Sequence, residues 1–345
     1  MYKYEEIKKK LLLQPRTWLI TGVAGFIGSN LLEQLLLLNQ KVIGIDNLSS
    51  GKMQNINRLD KLDNFEFYQV DIADYAACKN IFDSANIDFV LHQAAVASVP
   101  LSIINPKLTS KVNIDGFNNV LELSKESAVK TLVYASSSAV YGDNDDLEKL
   151  EPRIGNFLSP YAVSKYVNEL YAEQYSSHHN LTTIGLRYFN IYGKHQDPKS
   201  TYSAVIPKWI NQVINQEQIY IYGDGRTTRD FCHVDNVVQA NILACFNGEY
   251  NQVYNIGVGS ALDLDTLLGN IIDLVGKNEL IYNIKPIYKD FIAGDIKHSC
   301  ANIKLAQAEL NYTPNTDLSK NLETVYNWLI NVNAVDKKQI EQIHD

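Results

Sequence analysis

The chain has 345 residues, 46% hydrophobic and 20% charged, and its 31 Lys and Arg against 39 Asp and Glu leave a formal charge of −8. This supports one large or two interleaved domains with a packed core, and it excludes disordered or collagen-like chains. The acidic balance argues against a nucleic-acid backbone as main ligand, because such binding draws on many basic side chains; a local basic pocket for a small anion stays open.

The opening segment, Met1–Pro15, alternates charge with leucine and reads as a short amphipathic helix, not a signal peptide. The Leu-rich run Leu31–Leu38 is broken by Glu33 and Gln34, so no membrane span is expected. Cys78, Cys232, Cys245 and Cys300 show neither metal nor dithiol spacing and are too sparse for a disulfide framework, which fits a reducing cytoplasm. The histidines also lack metal-ligand spacing, so no metal is expected.

Strand candidates follow at 17–21, 41–46, 65–71, 88–93, 130–135 and 182–187, with helical stretches at 26–38, 75–85, 112–127 and 161–177 between most of them. The alternation predicts an α/β fold, a Rossmann-like doubly wound parallel sheet covered on both faces. Past Arg187 the pattern loosens. The expected division is 1–187 plus about 230–258 for the dinucleotide domain, and about 188–229 plus 259–345 for a smaller α/β substrate domain.

Strand one runs into Gly22-Val-Ala-Gly25-Phe26-Ile27-Gly28. Glycine tolerates positive φ and lets backbone approach a pyrophosphate, while the following helix aims its amides at the anion. Asp46 ends strand two, where a carboxylate accepts both ribose hydroxyls of NAD and repels the 2′-phosphate of NADP. Asp71 and Ile72 close strand three and are placed to face adenine; Ala94 and Ala95 follow strand four and are small enough for a loop crossing the pyrophosphate.

Strand five leads into Ser136-Ser137-Ser138-Ala139, and Pro160-Tyr161-Ala-Val-Ser-Lys165 opens a later helix. Tyr-x-x-x-Lys puts both side chains on one helix face. It also occurs at Tyr4/Lys8 and Tyr75/Lys79, but only Tyr161/Lys165 lies downstream of a complete nucleotide motif and a hydroxyl-rich strand end. A phenol titrates near ~10, and neighbouring positive charge favours its anion. Lys165 and an oxidised nicotinamide would together supply the ~4 kcal/mol that a three-unit shift requires.

The glycine motif, the serine cluster and Tyr-x-x-x-Lys in this order resemble the extended short-chain dehydrogenase/reductase superfamily. More narrowly the chain is similar to bacterial UDP-N-acetylglucosamine 4-epimerases, through Leu158-Ser-Pro-Tyr-Ala-Val-Ser-Lys-Tyr-Val-Asn-Glu-Leu170, Gly185-Leu-Arg-Tyr-Phe-Asn190, Ala204-Val-Ile-Pro-Lys208 and Tyr222-Gly-Asp-Gly225. The resemblance implies reversible C4 epimerisation of UDP-N-acetylhexosamines. Tyr161 takes the O4 proton, the C4 hydride passes to held NAD, and the hydride returns to the opposite face of a 4-keto sugar.

Alternatives are epimerisation of UDP-N-acetylhexosaminuronic acids or of UDP-glucose, then a 4,6-dehydratase, then a non-enzymatic NAD-binding protein. Related dehydratases carry Asp-Glu where Ser138 and Ala139 stand, which disfavours dehydration.

The resemblance also implies roles. Catalysis falls to Tyr161, Lys165 and Ser137. Further cofactor contacts fall to Asn47, Ser49 and Gly51 after strand two, to Gln93, Ser98 and Asn113, and to Ser136 and Tyr188. In the sugar site Asn190 and Arg229 serve the phosphates, Val205, Ile206, Tyr220 and Tyr222 the uracil, and Asp295 the uridine ribose, with Lys208 a further substrate contact. Ser299 stands where a tyrosine would exclude an N-acetyl group, with Ser98, Ser138 and Gln196 completing that wall. Two departures stand out: Ala97 replaces a common Gly, and Ile292 replaces an Arg that contacts the diphosphate, unless Lys289 or Lys297 takes its place. The expected partner is a UDP-sugar, with no nucleic acid or membrane, in a homodimer pairing helices near 102–126 and 161–178.

Overall fold

The computed structural model describes residues 1–57, 59, 61–198, 204–277, 284–291 and 296–344, with side chains described up to residue 332. Seven strands form the main sheet: β1 (Thr17–Thr21), β2 (Lys41–Asp46), β3 (Phe65–Gln69), β4 (Phe89–His92), β5 (Thr131–Ser137), β6 (Thr182–Tyr188) and β7 (Gln252–Ile256). Their order is β7-β6-β5-β4-β1-β2-β3, and all neighbours are parallel. This is the Rossmann-like doubly wound sheet expected from the alternation. The order reverses between β1 and β4, which opens a crevice at the carboxyl ends of those strands.

Period-two alternation explains the two layers. Trp18 and Ile20 of β1 enter one apolar cluster and Leu19 enters the other. The first layer contains α1 (Tyr4–Leu13), α2 (Phe26–Leu37) and, later in the chain, α9 (Val234–Asn247). The second contains α3 (Tyr75–Asp83), α6 (Gly116–Glu126) and α7 (Pro160–His179). Between β4 and α6 lie α4 (Val99–Ile104) and α5 (Pro106–Ser110).

The N-terminal segment is helical as expected. It buries Ile7 and Leu11, each contributing about 1.5–3 kcal/mol. The helix expected from 112 begins instead with a π turn, Lys111–Asp115, before α6. There Asn113 accepts a hydrogen bond from Val96 N at 2.8 Å and donates to Ser164 Oγ at 3.0 Å. Those bonds hold the widened turn, a feature common beside functional sites.

A smaller apolar cluster joins α8 (Val205–Ile214), α10 (Leu264–Gly276) and α12 (Leu318–His344) through Trp209, Ile210, Leu267, Ile271, Val325 and Leu329. Sequence reasoning assigned everything after 259 to this part. The structure instead places Ala301, Ile303, Ala306, Leu310 and Tyr312, on and around α11 (Lys304–Leu310), in the larger cluster. Among the described residues no helix is long and apolar enough to cross a membrane.

Candidate active site

The glycine turn lies at the reversal point. Gly22 has φ +71°, and a Cβ there would come within 2.7 Å of Ala94 N, in the loop after β4. A Cβ at Gly28 would meet Gly22 O at 2.1 Å, so helix and turn touch through backbone. The N-cap of α2 is Gly25, which has no side chain to occupy the first-turn amides, leaving Phe26 and Ile27 at a helix terminus suited to an anion.

Asp46 sits below this turn. Its Oδ2 accepts from Ala24 N at 3.0 Å and its Oδ1 from Leu48 N at 2.8 Å. Burial raises its pKa, and those two amides pull the other way. Each oxygen keeps acceptor capacity for a ribose hydroxyl. A Cβ at Gly51 would lie 2.7 Å from Asp46 Oδ2, so the glycine keeps space open over the carboxylate. A dinucleotide therefore fits the residues present. Asn47 donates to Asp71 at 3.1 Å and accepts from Ser49 N at 3.0 Å, which ties the ends of β2 and β3 together beside Ile72.

Other expected cofactor contacts are engaged within the protein. Gln93 Nε2 donates to Asn241 at 3.2 Å, while Tyr188 donates to Gln93 and accepts from Asn241. Ser98 caps α4 by accepting from Leu101 N at 3.1 Å. Ala95 leads from β4 towards Val96, whose backbone Asn113 holds. His92, buried under the turn, shares a 2.9 Å bond with Thr21, and burial together with nearby Lys165 lowers its pKa to about 3. It is a neutral structural residue.

Ser137 ends β5, and Tyr161 opens α7 directly after Pro160. Tyr161 N donates to Ser102 Oγ at 3.1 Å, which pins the first turn of α7 to α4. Ser137 Oγ accepts from Ala139 N at 3.1 Å and faces the Tyr161 phenol. Burial pushes that phenol above its ordinary value, and the neighbouring serine hydroxyl opposes the shift. Lys165, one turn on, donates to Ala135 O at 2.7 Å and stands 5.9 Å from the Tyr161 ring centre. Burial lowers its pKa to about 8, and Glu169 offsets part of the shift.

Glu169 and Arg187 were not among the residues given a role from sequence. Arg187 Nε and Nη2 bind the two Glu169 oxygens at 2.9 and 2.7 Å, and Ser136 donates to Glu169 Oε1 at 2.5 Å. The Ser136 hydroxyl thus faces this buried pair. Arg187 also donates to Tyr141 Oη at 3.1 Å and to Glu151 O at 2.7 Å. The available signal was a carboxylate one helical turn beyond Lys165 and an arginine at the end of β6.

Four expected sugar-site residues converge. Asn190, Val205, Ile206 and Arg229 line one cleft of about 340 Å³, joined by Thr227, Phe231 and Leu264, which sequence reasoning missed. Ser299 is buried on the strand His298–Ala301, in parallel register with Arg229. Gln196 donates to Ile191 O at 3.3 Å and leaves its Oε1 buried without a partner among the described residues. Ser138 begins the tight turn after β5. Tyr222 lines a second hollow with Tyr288 and Lys289, and Lys208 lines a third with Asn211 and Gln212. Lys289 sits 3.9 Å over the Tyr220 ring, and Lys297 lies 5.0 Å over Phe291. Asp295 and Ile292 lie outside the described residues.

A family model described as the NAD dependent epimerase/dehydratase family matches residues 18–257. A UDP-glucuronate 4-epimerase of Thermodesulfobacterium geofontis is 34% identical over 90% of this chain and 95% of its own length. The solved UDP-N-acetylglucosamine 4-epimerase of Methanobrevibacter ruminantium, in complex with UDP-N-acetylmuramic acid, superposes with a TM-score of 0.86 at 36% identity, covering 92% of this chain and 99% of that one. The UDP-glucose 4-epimerase of Thermotoga maritima, solved with UDP-glucose, gives a TM-score of 0.85 at 33% identity, again covering 92% and 99%. The matched span takes in the glycine turn, Asp46, Ser137, Tyr161 and Lys165, so this is an NAD-dependent enzyme of the epimerase type, and the chain belongs to the NAD dependent epimerase/dehydratase family.

Proposed function

We propose that the protein interconverts UDP-hexoses epimeric at C4 through a 4-keto intermediate. The observation that carries this reading is the placement of Ser137, at the carboxyl end of the sheet, beside the buried Tyr161 phenol, with no acid at the neighbouring positions Ser138 and Ala139. Dehydration across C5 and C6 needs a proton donor and acceptor there. Glu169 cannot serve, because Arg187 and Ser136 already occupy its oxygens.

In this scheme Ser137 hydrogen-bonds O4 and Tyr161 takes its proton as C4 is oxidised. Lys165 supplies positive charge that favours the phenolate. Bound NAD supplies the acceptor, and later the donor, of one hydride. The cleft around Asn190 and Arg229 holds the nucleotide while the hexose turns over, and Tyr161 then returns the proton to O4. Gly22, Gly25, Gly28, Asp46 and Gly51 would hold the dinucleotide.

Two readings of the sugar are open to test. The small, buried Ser299 beside Arg229 favours a C2 N-acetyl group. UDP-glucose and UDP-glucuronate are favoured by the similar enzymes that act on them. Purified protein incubated separately with UDP-N-acetylglucosamine, UDP-glucose and UDP-glucuronate, without added NAD, is expected to form a C4 epimer of at least one, resolved by anion-exchange chromatography. A stable 4-keto-6-deoxy product, or no conversion of any, refutes the proposal.

We also propose a homodimer through α4, α5 and α7. These helices expose Ile103 (60%), Ile104 (74%), Val163 (42%) and Leu170 (44%), an apolar surface that suits a two-fold interface.

A further inference from the structure

The segment after the short strand Asn190–Tyr192 runs from the wall of the sugar cleft to the rim of the cofactor cradle. A Cβ at Gly193 would come 2.4 Å from Val234 and 3.4 Å from the ring of Phe26, so the chain passes directly against the first residue of α2. The Asn30 amide of α2 donates both to Phe26 O at 2.8 Å and to Lys194 O at 3.1 Å. Lys194 pairs with Glu33, one turn further along α2. His195 turns the chain at φ +69°, and its ring stacks on Trp328 with centroids 5.8 Å apart. Asp197 then meets Lys52 Nζ at 2.5 Å. Lys52 itself follows Gly51 and donates its backbone N–H to Ala24 O at 3.0 Å, inside the glycine turn.

We infer that Gly193–Asp197 is a strap across the dinucleotide cradle and that the Lys52–Asp197 pair, backed by Asn30, Glu33 and Lys194, retains bound NAD. The strap joins the helix whose N-terminus suits the pyrophosphate to the loop that follows Asp46 and Gly51, where the ribose is expected. An enzyme that regenerates NAD in every cycle gains nothing from releasing it, and release past a strap tied at both ends requires at least one tie to open. Each partly exposed ion pair is weak alone, about 0.2–1 kcal/mol, so one broken tie speeds release modestly and two broken ties speed it further.

The test reads retention, not turnover. Holoenzyme loaded with radiolabelled NAD is chased with unlabelled NAD, and label leaving the protein is followed by filtration. Lys52→Asp and Asp197→Lys are each expected to speed release about threefold or more, with the melting temperature of cofactor-free protein unchanged. The charge-swapped double variant is expected to return release to the wild-type rate. Asn30→Ala combined with Lys52→Met is expected to exceed either change alone. Unaltered release in both single charge variants overturns the inference, as does a swapped double variant no slower than the singles. The latter result would mean that these side chains act on the cofactor separately, not on each other.

Discussion

Lys165 stands 5.9 Å from the centre of the Tyr161 ring while its ammonium donates to the Ala135 carbonyl at 2.7 Å. The sheet therefore fixes the amine and the helix fixes the phenol, and their separation is set where β5 meets α7. Without cofactor, burial holds the phenol above its ordinary pKa despite the neighbouring Ser137 hydroxyl. Anionic Tyr161 accordingly depends on added positive charge, which an oxidised nicotinamide carries.

Tyr161→Phe removes only the phenolic oxygen, the proposed acid–base group. Its backbone N–H still reaches Ser102 and the ring still fills its place. The variant is expected to keep its melting temperature and bound NAD and to lose about a hundred- to ten-thousandfold in kcat, measured by chromatography of the sugar nucleotides.

The pH dependence of Lys165 has a definite sign. Its folded pKa is lowered from 10.5 to about 8 by burial. Between those values the unfolded chain keeps a proton that the folded chain has lost, so this group's contribution to stability rises with pH across the window and is least favourable below about 8. Denaturant unfolding of wild type and Lys165→Met at pH 7 and pH 10.5 is expected to show their difference moving in favour of wild type by about 3 kcal/mol. The catalytic effect runs the other way: the ammonium is present below about 8, and activity is expected to fall as pH rises through that value.

Glu169 and Arg187 are both buried, at 7% and 4% exposure, and bound at two points. Glu169→Gln leaves a guanidinium without its counter-charge and is expected to cost about 3–5 kcal/mol. Pairing it with Arg187→Met removes both charges and is expected to recover part of that loss in urea titrations.

Ser299→Tyr tests the substrate wall. The added ring projects from a strand in register with Arg229. It is expected to lower kcat/KM on a C2 N-acetylated UDP-hexose about tenfold or more relative to UDP-glucose. Equal change on both sugars would show that Ser299 only packs.

The strands, the main helices and the glycine turn were legible because they are written in near-neighbour spacing. Positive φ at Gly22, close backbone approach at Gly28 and the four-residue interval from Tyr161 to Lys165 each lie within one turn or one helix. The strand Gln252–Ile256 was not singled out, because it is five residues long and lies past Arg187, where runs of β-branched residues thin out. The Ser136–Glu169–Arg187 cluster was invisible for a different reason: its members lie 33 and 18 positions apart and meet only because β5, α7 and β6 pack together.

Sequence by itself determined the doubly wound class, the glycine turn and the placing of Tyr161 and Lys165 on one helix face, since local backbone and helix-face geometry follow from residue type. Only tertiary structure decided that α11 packs on the larger core, that Ser136 faces Glu169 and not the crevice, and that Asn190, Val205, Ile206 and Arg229 share one cleft. Those relationships depend on which elements become neighbours, and that is set by the packing of the whole chain.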